Sequence, residues 1–461
     1  MSTPPPTAAA GATAQISPSD DDLRAAIIKT KTANPSLGIS KIRAAVLSEN
    51  ANWQLSENRV KKICQAEGLI NAAPPPNAAK ESSSNGPPKK EKAVYPASRV
   101  IEDLDIERWT GRVQVKYIDK RKGKGLFAKE RIAEGEVIWK EDPFIISPEW
   151  ELYDLQQNGR ACTHCTTPLT DSSLTVHCSA SSSTSYCPAR FCNRLCHTRA
   201  QRVHPLLCPA QNPASVPLLK FARTSAWLGL AALSQCTARL LLDHAMQGED
   251  AKTFEDEWKV VNALATLGME ERHKNGWLGG SEPDRVVWKK AYKLYLQAFD
   301  APTTASDQKK LARLLKNRLP EHLHNQLFTY DGFLQGLGRM SLNLEAHGGL
   351  YTLHSHMNHD CDPNASVRHL DQRSALSRIT VLAKRDIEPG EELFISYVDP
   401  SLGVRRRREE VNAWNFGTCR CKRCTKEEKE GGMKDEVGAE KTKEKSLDDL
   451  EKELKAGLGV M

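Results

Sequence analysis

The sequence predicts an α+β protein, in which small β-sheets are accompanied by a cysteine-rich segment, a helical region and a small N-terminal all-α module. Apolar residues alternate between Val113 and Ile146 and again from 366 to 397, which is typical of half-buried strands. From 217 to 330 they recur at three- and four-residue spacing, which predicts helices at Trp227 to Leu233, Leu240 to Met246, Trp258 to Leu267 and Val286 to Phe299. Cysteines cluster between the first strands and these helices, so the chain is expected to contain several distinct segments.

Composition narrows the class of protein. The 461 residues predict two or three domains, and a hydrophobic share of 39% can supply a core. A net charge of +7 slightly favours acidic or nucleic-acid partners, with simple solubility as the alternative. Neither a long apolar run nor a signal-peptide pattern is found, so no membrane span and no secretion are expected. The thirteen cysteines therefore indicate metal binding rather than disulfides.

The N-terminal part is predicted to be a three-helix module of residues 18–71, after a stretch rich in Ala, Pro and Thr (1–17) that is expected to be disordered. Ser40 and Ser56 are the predicted N-caps of the second and third helices, and Gly68 ends the third. The third helix has an apolar face and a basic face, formed by Val60, Ile63 and Cys64 and by Arg59, Lys61 and Lys62. A basic third helix favours a helix-turn-helix that contacts DNA, and a protein-interaction module with a solvated face is the alternative.

Strands resume after a Pro- and Ser-rich linker. Val113 to Tyr117 and Val137 to Trp139 are the first two predicted strands, with a turn at Glu134-Gly135. Between them, Gly123-Lys124-Gly125 allows the backbone to approach a ligand closely, with an ordinary hairpin turn as the alternative.

The cysteine-rich segment carries enough soft ligands for two tetrahedral zinc ions. Cys192 and Cys196 are four residues apart, as are His204 and Cys208. This spacing puts two side chains on one face of a helix. A disulfide knot and free buried cysteines are the alternatives. The eight candidate ligands are Cys162, Cys165, Cys178, Cys187, Cys192, Cys196, His204 and Cys208.

Two polar motifs follow the helical region, in which we find no catalytic constellation. The first runs from Asn358 to Asn364 and reads as a polar turn, and the second runs from Glu391 to Tyr397 and reads as a strand after the Pro389-Gly390 turn. A structural turn and a buried strand are the alternative. Three further cysteines, Cys419, Cys421 and Cys424, leave a zinc ion one ligand short, and Cys361 is the candidate fourth.

Asn358-His359-x-Cys361-x-Pro363-Asn364 with Gly390-Glu391-Glu392-Leu393-x-x-x-Tyr397 resembles the paired C-terminal motifs of SET-domain protein-lysine methyltransferases. The resemblance implies a knot-like arrangement that forms the S-adenosylmethionine pocket and the lysine channel, with Tyr397 as the catalytic residue. It also implies a post-SET zinc site and an aromatic residue against the adenine, for which Trp414 competes with Phe416. The implied cofactor-binding residues are Lys122, Gly123, Lys124, Asn343, Asn358, His359, Tyr397 and Phe416.

The cysteine-rich segment resembles a MYND finger, in which ligand pairs interleave. That resemblance assigns one ion to Cys162, Cys165, Cys192 and Cys196, and the other to Cys178, Cys187, His204 and Cys208. Residues 179–186 are an insertion relative to the family, so His177 is a substitute for Cys178. The SET/MYND layout then implies this division of the chain: 1–17 disordered; 18–71 helix-turn-helix-like; 72–99 linker; 100–160 SET first half; 161–209 finger; 210–335 helical insert; 336–400 SET second half; 401–426 post-SET; 427–461 charged tail.

The run Leu353 to Cys361 resembles the fungal Set-five group, which implies a histone-lysine methyltransferase that acts in the nucleus and the cytoplasm. Three structural zinc ions and S-adenosylmethionine are the implied cofactors. The alternatives are the same chemistry on a non-histone protein, and an inactive scaffold whose finger binds proline-rich peptides.

Overall fold

The computed structural model describes residues 16–34, 37–67, 94–101, 103–170, 172–246, 251–274, 284–317, 319–370 and 376–431. The chain divides into two compact units, residues 1–90 and 91–461. The helix end predicted at Gly68, most of the predicted linker and most of the charged tail lie outside the described residues. Within the described ranges, no helix is both long and apolar enough to cross a membrane.

The described part of the first unit contains three helices, as predicted: α1 (Asp20–Ala33), α2 (Ile39–Glu49) and α3 (Glu57–Ala66). The side chain of Ser56 accepts a hydrogen bond from the Arg59 amide at 3.3 Å, which confirms this N-cap. The prediction for α2 was wrong, because its N-cap is Gly38 and no side chain caps it. The predicted apolar faces meet in one core, which includes Leu23, Ile27, Ile42, Val46, Val60, Ile63 and Cys64.

Arg59 was predicted to lie on a free basic face of α3, but its side chain is paired within the unit. Its guanidinium pairs with Asp20 at 2.6 Å and donates to the Pro18 carbonyl at 2.7 Å, so it ties α3 to the start of α1. Lys61 and Lys62 are exposed and remain as the candidate DNA contacts. Ile16, within the stretch that we expected to be disordered, exchanges backbone hydrogen bonds with Asn52 and Gln54.

The second unit confirms the α+β prediction. Its strands are β1 (Val113–Asp119), β2 (Gly123–Ala128), β3 (Val137–Glu141), β4 (Ile145–Ile146), β5 (Val176–His177), β6 (Arg190–Phe191), β7 (Gly349–Leu350), β8 (Asn358–His359), β9 (Ala365–Arg368), β10 (Ile379–Ala383) and β11 (Phe394–Ile395). They form small sheets in the orders β1-β2, β3-β10-β9, β8-β11, β4-β7 and β5-β6. Strands from before and after the helical region therefore pair directly, as in β3 with β10 and β4 with β7.

The helices of this unit are α4 (Trp150–Gln157), α5 (Arg194–Ala200), α6 (His204–Leu207), α7 (Val216–Thr224), α8 (Leu228–Ala245), α9 (Ala251–Ala263), α10 (Met269–Lys274), α11 (Arg285–Phe299), α12 (Ala305–Leu314), α13 (Glu321–Phe328), α14 (Tyr330–Asn343), α15 (Val404–Ala413) and α16 (Lys422–Lys429). Two predicted helices are one, because no Gly or Pro interrupts α8 after its first turn. The helix predicted to reach Leu267 ends at Ala263.

Two apolar cores organise the second unit. The helical core centres on α8, α11 and α14 and includes Trp288, Tyr295 and Phe333, together with Ile145 and Leu350 from strands β4 and β7. The sheet core is formed by residues such as Leu126, Trp139, Tyr351, Val381 and Ile395. The β4-β7 pair thus packs the helices against the sheets.

Candidate active site

The two polar motifs lie side by side. Strand β8 pairs in parallel with β11, with Asn358 opposite Phe394 and His359 opposite Ile395. On its other side, the second motif bonds to β2, since the Leu393 amide donates to the Leu126 carbonyl at 2.8 Å. The expected strand from 393 to 397 is shorter than predicted, and Tyr397 lies beyond its end.

Asn364 holds the two motifs together. Its side chain is fully buried, donates to the Glu392 carbonyl at 2.9 Å and accepts from the Phe394 amide at 2.7 Å. A side-chain amide with both a donor and an acceptor can replace a backbone partner in this way. The end of the first motif therefore holds the start of the second.

Asn358 connects the motifs to β2. Its amide nitrogen donates to the Lys124 carbonyl at 2.9 Å and to Glu392 Oε1 at 2.8 Å, and the other Glu392 oxygen pairs with Lys122 at 3.2 Å. A Cβ atom at Gly125 would lie 2.9 Å from Glu392 Oε1, so only glycine fits there without a shift. The geometry thus brings together the predicted cofactor residues of β2 and the central asparagine.

Gly123 has a different reason to be glycine. Its φ of +70° lies in the left-handed region, and a Cβ would lie 2.2 Å from Ser98 Oγ. The following residue uses the same hydroxyl, because the Lys124 amide donates to Ser98 Oγ at 3.3 Å.

Tyr397 points its hydroxyl inward, and burial raises its pKa, so it stays neutral. The hydroxyl donates to the Met357 carbonyl at 2.8 Å, which leaves its oxygen lone pairs available. Its ring centroid lies 5.2 Å from that of Phe416. Trp414, the competitor for the adenine contact, is 40% exposed beside Arg272, so packing favours Phe416.

His359 joins Tyr397 to the nearby cysteines. Its Nδ1 accepts from the Tyr397 amide at 3.0 Å, which leaves the Nε2 proton directed at Cys361 Sγ, 3.2 Å away. Burial and the Arg407 charge lower the pKa of His359 to about 4, so the imidazole is neutral.

Lys124 is a buried cation at this site. It is 3% exposed, its ammonium contacts Ser355 Oγ at 3.4 Å, and burial lowers its pKa to about 7. The imidazole of His356 is 1% exposed, and its Nε2 atom has no hydrogen-bond partner among the described residues. The buried ammonium fits an anionic group of a ligand, whereas the imidazole Nε2 is an acceptor, because Nδ1 donates to the Thr352 carbonyl at 2.9 Å, and fits a hydrogen-bond donor.

The Lys124 ammonium should make stability depend on pH. In the unfolded chain the pKa of a lysine is about 10.4. Burying the charged ammonium therefore destabilises the fold fully below pH 7, and this destabilisation disappears as the pH rises from 7 to about 10.4. We expect Lys124→Met to raise the melting temperature of the ligand-free protein at pH 6.5 and to change it far less at pH 10. The exposed Lys120→Met is the control. An equal gain at both pH values would contradict a buried charged lysine.

Glu141 was missed by the sequence analysis. It is 2% exposed, and its carboxylate accepts from the amides of Leu353 and His354 at 2.8 and 3.1 Å. It thereby anchors the turn that leads into Asn358, and burial raises its pKa. The available signal was its place in β3, two residues after the buried Trp139.

Asn343 makes structural contacts. Its side chain donates to the Ala265 and Arg339 carbonyls at 2.8 and 2.7 Å and accepts from the Ala265 amide at 3.2 Å. It therefore binds the end of α14 to the loop after α9, and its cofactor contact stays a prediction.

The twelve candidate metal ligands lie in three groups of four, and within each group the ligand atoms all lie within 4.8 Å of one another. In the predicted finger, the first group is Cys162, Cys165, Cys192 and Cys196, and the second is Cys178, Cys187, His204 and Cys208. Cys178 rather than His177 joins the second group, because His177 is exposed opposite Arg190 on the β5-β6 hairpin.

The third group, Cys361, Cys419, Cys421 and Cys424, places the tail against the central motif. Arg407 is fully buried beside it, and its guanidinium approaches Cys424 Sγ at 3.6 Å and pairs with Glu427 at 2.6 Å. A buried positive charge compensates for thiolates. Each of the three groups fits a tetrahedral zinc ion with no open position.

Comparisons with known proteins relate the chain to one family. A model of the SET domain matches residues 246–398. The histone-lysine N-methyltransferase SET5 of Mycosarcoma maydis is 31% identical over 336 residues, which cover 67% of this chain and 66% of that protein. The SET5 of Yarrowia lipolytica is 29% identical, and the alignment covers 90% of this chain and 83% of that protein. Among solved structures, the SET domain of LSMT bound to lysine and AdoHcy aligns with a TM-score of 0.33 at 12% identity, over 67% of this chain and 53% of that one, which is too distant to carry an argument.

Proposed function

We propose that this chain, which belongs to the SET-domain family and groups with the fungal Set-five histone-lysine methyltransferases, methylates a lysine of a histone with S-adenosylmethionine as donor. One observation carries the proposal: the Tyr397 hydroxyl bonds to the Met357 carbonyl, and the next residue, Asn358, bonds through its side chain to the Lys124 carbonyl. The same chemistry on a non-histone protein is the second candidate.

The described residues fit the cofactor. The Lys124 ammonium suits its carboxylate, and the Glu392 carboxylate beside Asn358 suits its amine. The half-buried Phe416 ring suits its adenine. When bound, S-adenosylmethionine supplies a methyl group on a sulfonium that a nucleophile can displace.

The residues of the chain align the nucleophile. A lysine amine attacks only when neutral, and its pKa of about 10.4 falls in a buried, apolar channel. Because the Tyr397 proton is donated to Met357, its oxygen can accept an N–H of the amine and direct the amine lone pair. Backbone carbonyls add weak C–H···O contacts to the methyl group. Most of the catalytic effect is then positioning.

We assign the three ligand groups to structural zinc. The first two, with interleaved pairs, make residues 161–209 a MYND-like finger, and the third is a post-SET site that ties the tail to the cofactor pocket. Pairing of β3 with β10 and of β4 with β7 supports a SET domain split into 100–160 and 336–400.

We also propose partners and locations. Lys61 and Lys62 are the candidate DNA contacts, and the finger is the candidate site for a proline-rich peptide. The nucleus and the cytoplasm are the proposed locations.

Methylation assays test the proposed activity and substrate. We expect labelled S-adenosylmethionine to label a core histone when the chain is incubated with histone octamer. Label that appears only on other proteins in a cell extract would favour the second candidate. Binding of cofactor without transfer to any lysine would contradict an enzyme.

Asn358→Ala tests the cofactor site. The change removes two hydrogen bonds that hold β2 and Glu392 around the proposed pocket, so we expect calorimetric titration to detect no S-adenosylmethionine binding. The exposed Asn412→Ala should bind normally. Undiminished affinity in folded Asn358→Ala protein would make the motif purely structural.

A further inference from the structure

A cavity of about 1150 Å³ lies away from the active site, between the finger, helices α4, α5 and α7, and the strands β3 and β4. None of Asn358, Tyr397 and Phe416 lines it. We propose that this cleft binds an acidic peptide segment of a partner protein that also carries apolar side chains.

Charge is the first argument. The cleft is lined by eight Arg and Lys side chains and only two acidic ones, Asp142 and Asp154. Several of these cations are already neutralised: Arg223 pairs with Asp154 at 2.6 Å, and Arg202 pairs with Asp243 at 2.7 Å. Arg239 likewise donates to Glu257 at 2.8 Å.

Three cations at the cleft have little compensation. Lys220 and Arg108 are exposed and form no ion pair with any described residue. Arg199 is 3.9 Å from Asp142, and that carboxylate already binds Arg378 at 2.8 Å. The Arg108 guanidinium lies 4.2 Å from the Trp109 ring, which holds it in place. The cleft therefore presents cations that a carboxylate-bearing partner would neutralise.

Apolar exposure is the second argument. Leu195 on α5 is 56% exposed and Val216 on α7 is 41% exposed, and both line the cleft. Leu219 and Phe144 add apolar surface deeper inside. Exposed apolar groups beside unpaired cations match a segment that alternates carboxylates with aliphatic side chains.

Size and charge favour a peptide. The volume of about 1150 Å³ lies above the roughly 300–1,000 Å³ of small-molecule pockets and leaves room for several peptide residues. A lysine-rich histone tail would be repelled. The partner site is thus separate from the proposed substrate site and does not depend on it.

The test is fluorescence polarisation of the full chain with a labelled peptide of about twelve residues that alternates Glu and Leu. We expect binding that weakens as salt rises. The double variant Arg199→Gln/Lys220→Gln should bind about tenfold more weakly. The matched control Lys309→Gln/Lys316→Gln changes net charge equally at exposed positions that do not line the cleft, and should bind normally.

Three outcomes would overturn the proposal: unchanged affinity in the cleft variant, displacement of the labelled peptide by an uncharged proline-rich peptide, or its displacement by duplex DNA. Leu195→Ser tests the apolar contribution separately, since it should weaken peptide binding without altering the net charge. Histone methylation should be unchanged in all of these variants, so a failure here is distinguishable from a failure of the proposed enzyme activity.

Discussion

Tyr397→Phe is expected to yield a folded, cofactor-binding protein that methylates its substrate at least about a hundredfold more slowly. The ring that packs on His359 and Phe416 is kept, so the pocket should retain its shape. The lost hydroxyl is the group proposed to accept from the amine and direct its attack. Initial methylation rates on a confirmed substrate, with calorimetric cofactor affinity, measure the effect.

The structure also predicts a stability change for this variant. Removal of the hydroxyl leaves the Met357 carbonyl without its Tyr397 donor, which costs about 1–3 kcal/mol and should lower the melting temperature. Tyr292→Phe is the control, because its hydroxyl also donates to a backbone carbonyl, that of Phe328, but lies in the helical region. It should lose stability and keep its activity. A Tyr397→Phe protein with most of its activity would reduce the tyrosine to a packing residue.

Zinc removal is expected to have the second large effect. The three groups of ligands predict three zinc ions per chain, and chelation should unfold the finger, because structural zinc contributes roughly 10–16 kcal/mol in finger peptides. The finger interior is formed largely by the cysteines themselves with Phe191 and a few alanines, so little apolar surface could replace the metal. Elemental analysis and circular dichroism before and after chelation measure both effects.

Single cysteine variants separate the sites. Cys424→Ser should reduce the zinc content to two and loosen the tail, whereas Cys236→Ala, which removes a buried cysteine outside the three groups, should keep three. A wild-type content of one or none would refute the metal assignment, and a content of two would point to the inserted loop at Cys178 or to the tail site.

The helices and the grouping of the cysteines were the most predictable from sequence. Spacing at three and four residues located the helices, since that periodicity places one face against the core. It could not show that α8 is continuous or that α9 ends at Ala263, because packing decides helix length where no Gly or Pro intervenes. The ligand groups followed from spacing and family resemblance together, although spacing alone left disulfides open.

Side-chain roles were less predictable. Arg59 was assigned to a basic face, yet it pairs with Asp20, which lies 39 residues earlier in the sequence. Glu141 escaped notice because a carboxylate in a strand reads as a surface residue until its two amide partners are known. Asn343 was predicted to touch cofactor, a contact that stays a prediction, and no local pattern indicated that its side chain bonds backbone at a helix end.

The sequence by itself determined the fold class, the ligand types and the paired motifs around Asn358 and Tyr397, because these depend on periodicity and on residue chemistry at short range. Only the tertiary structure decided that Tyr397 donates to Met357, that Lys124 is buried beside an unpartnered imidazole, and that unpaired cations line a separate cleft. Each of those facts is a contact between segments far apart in the chain. Such contacts are set by how the sheets and helices pack, and no local pattern records them.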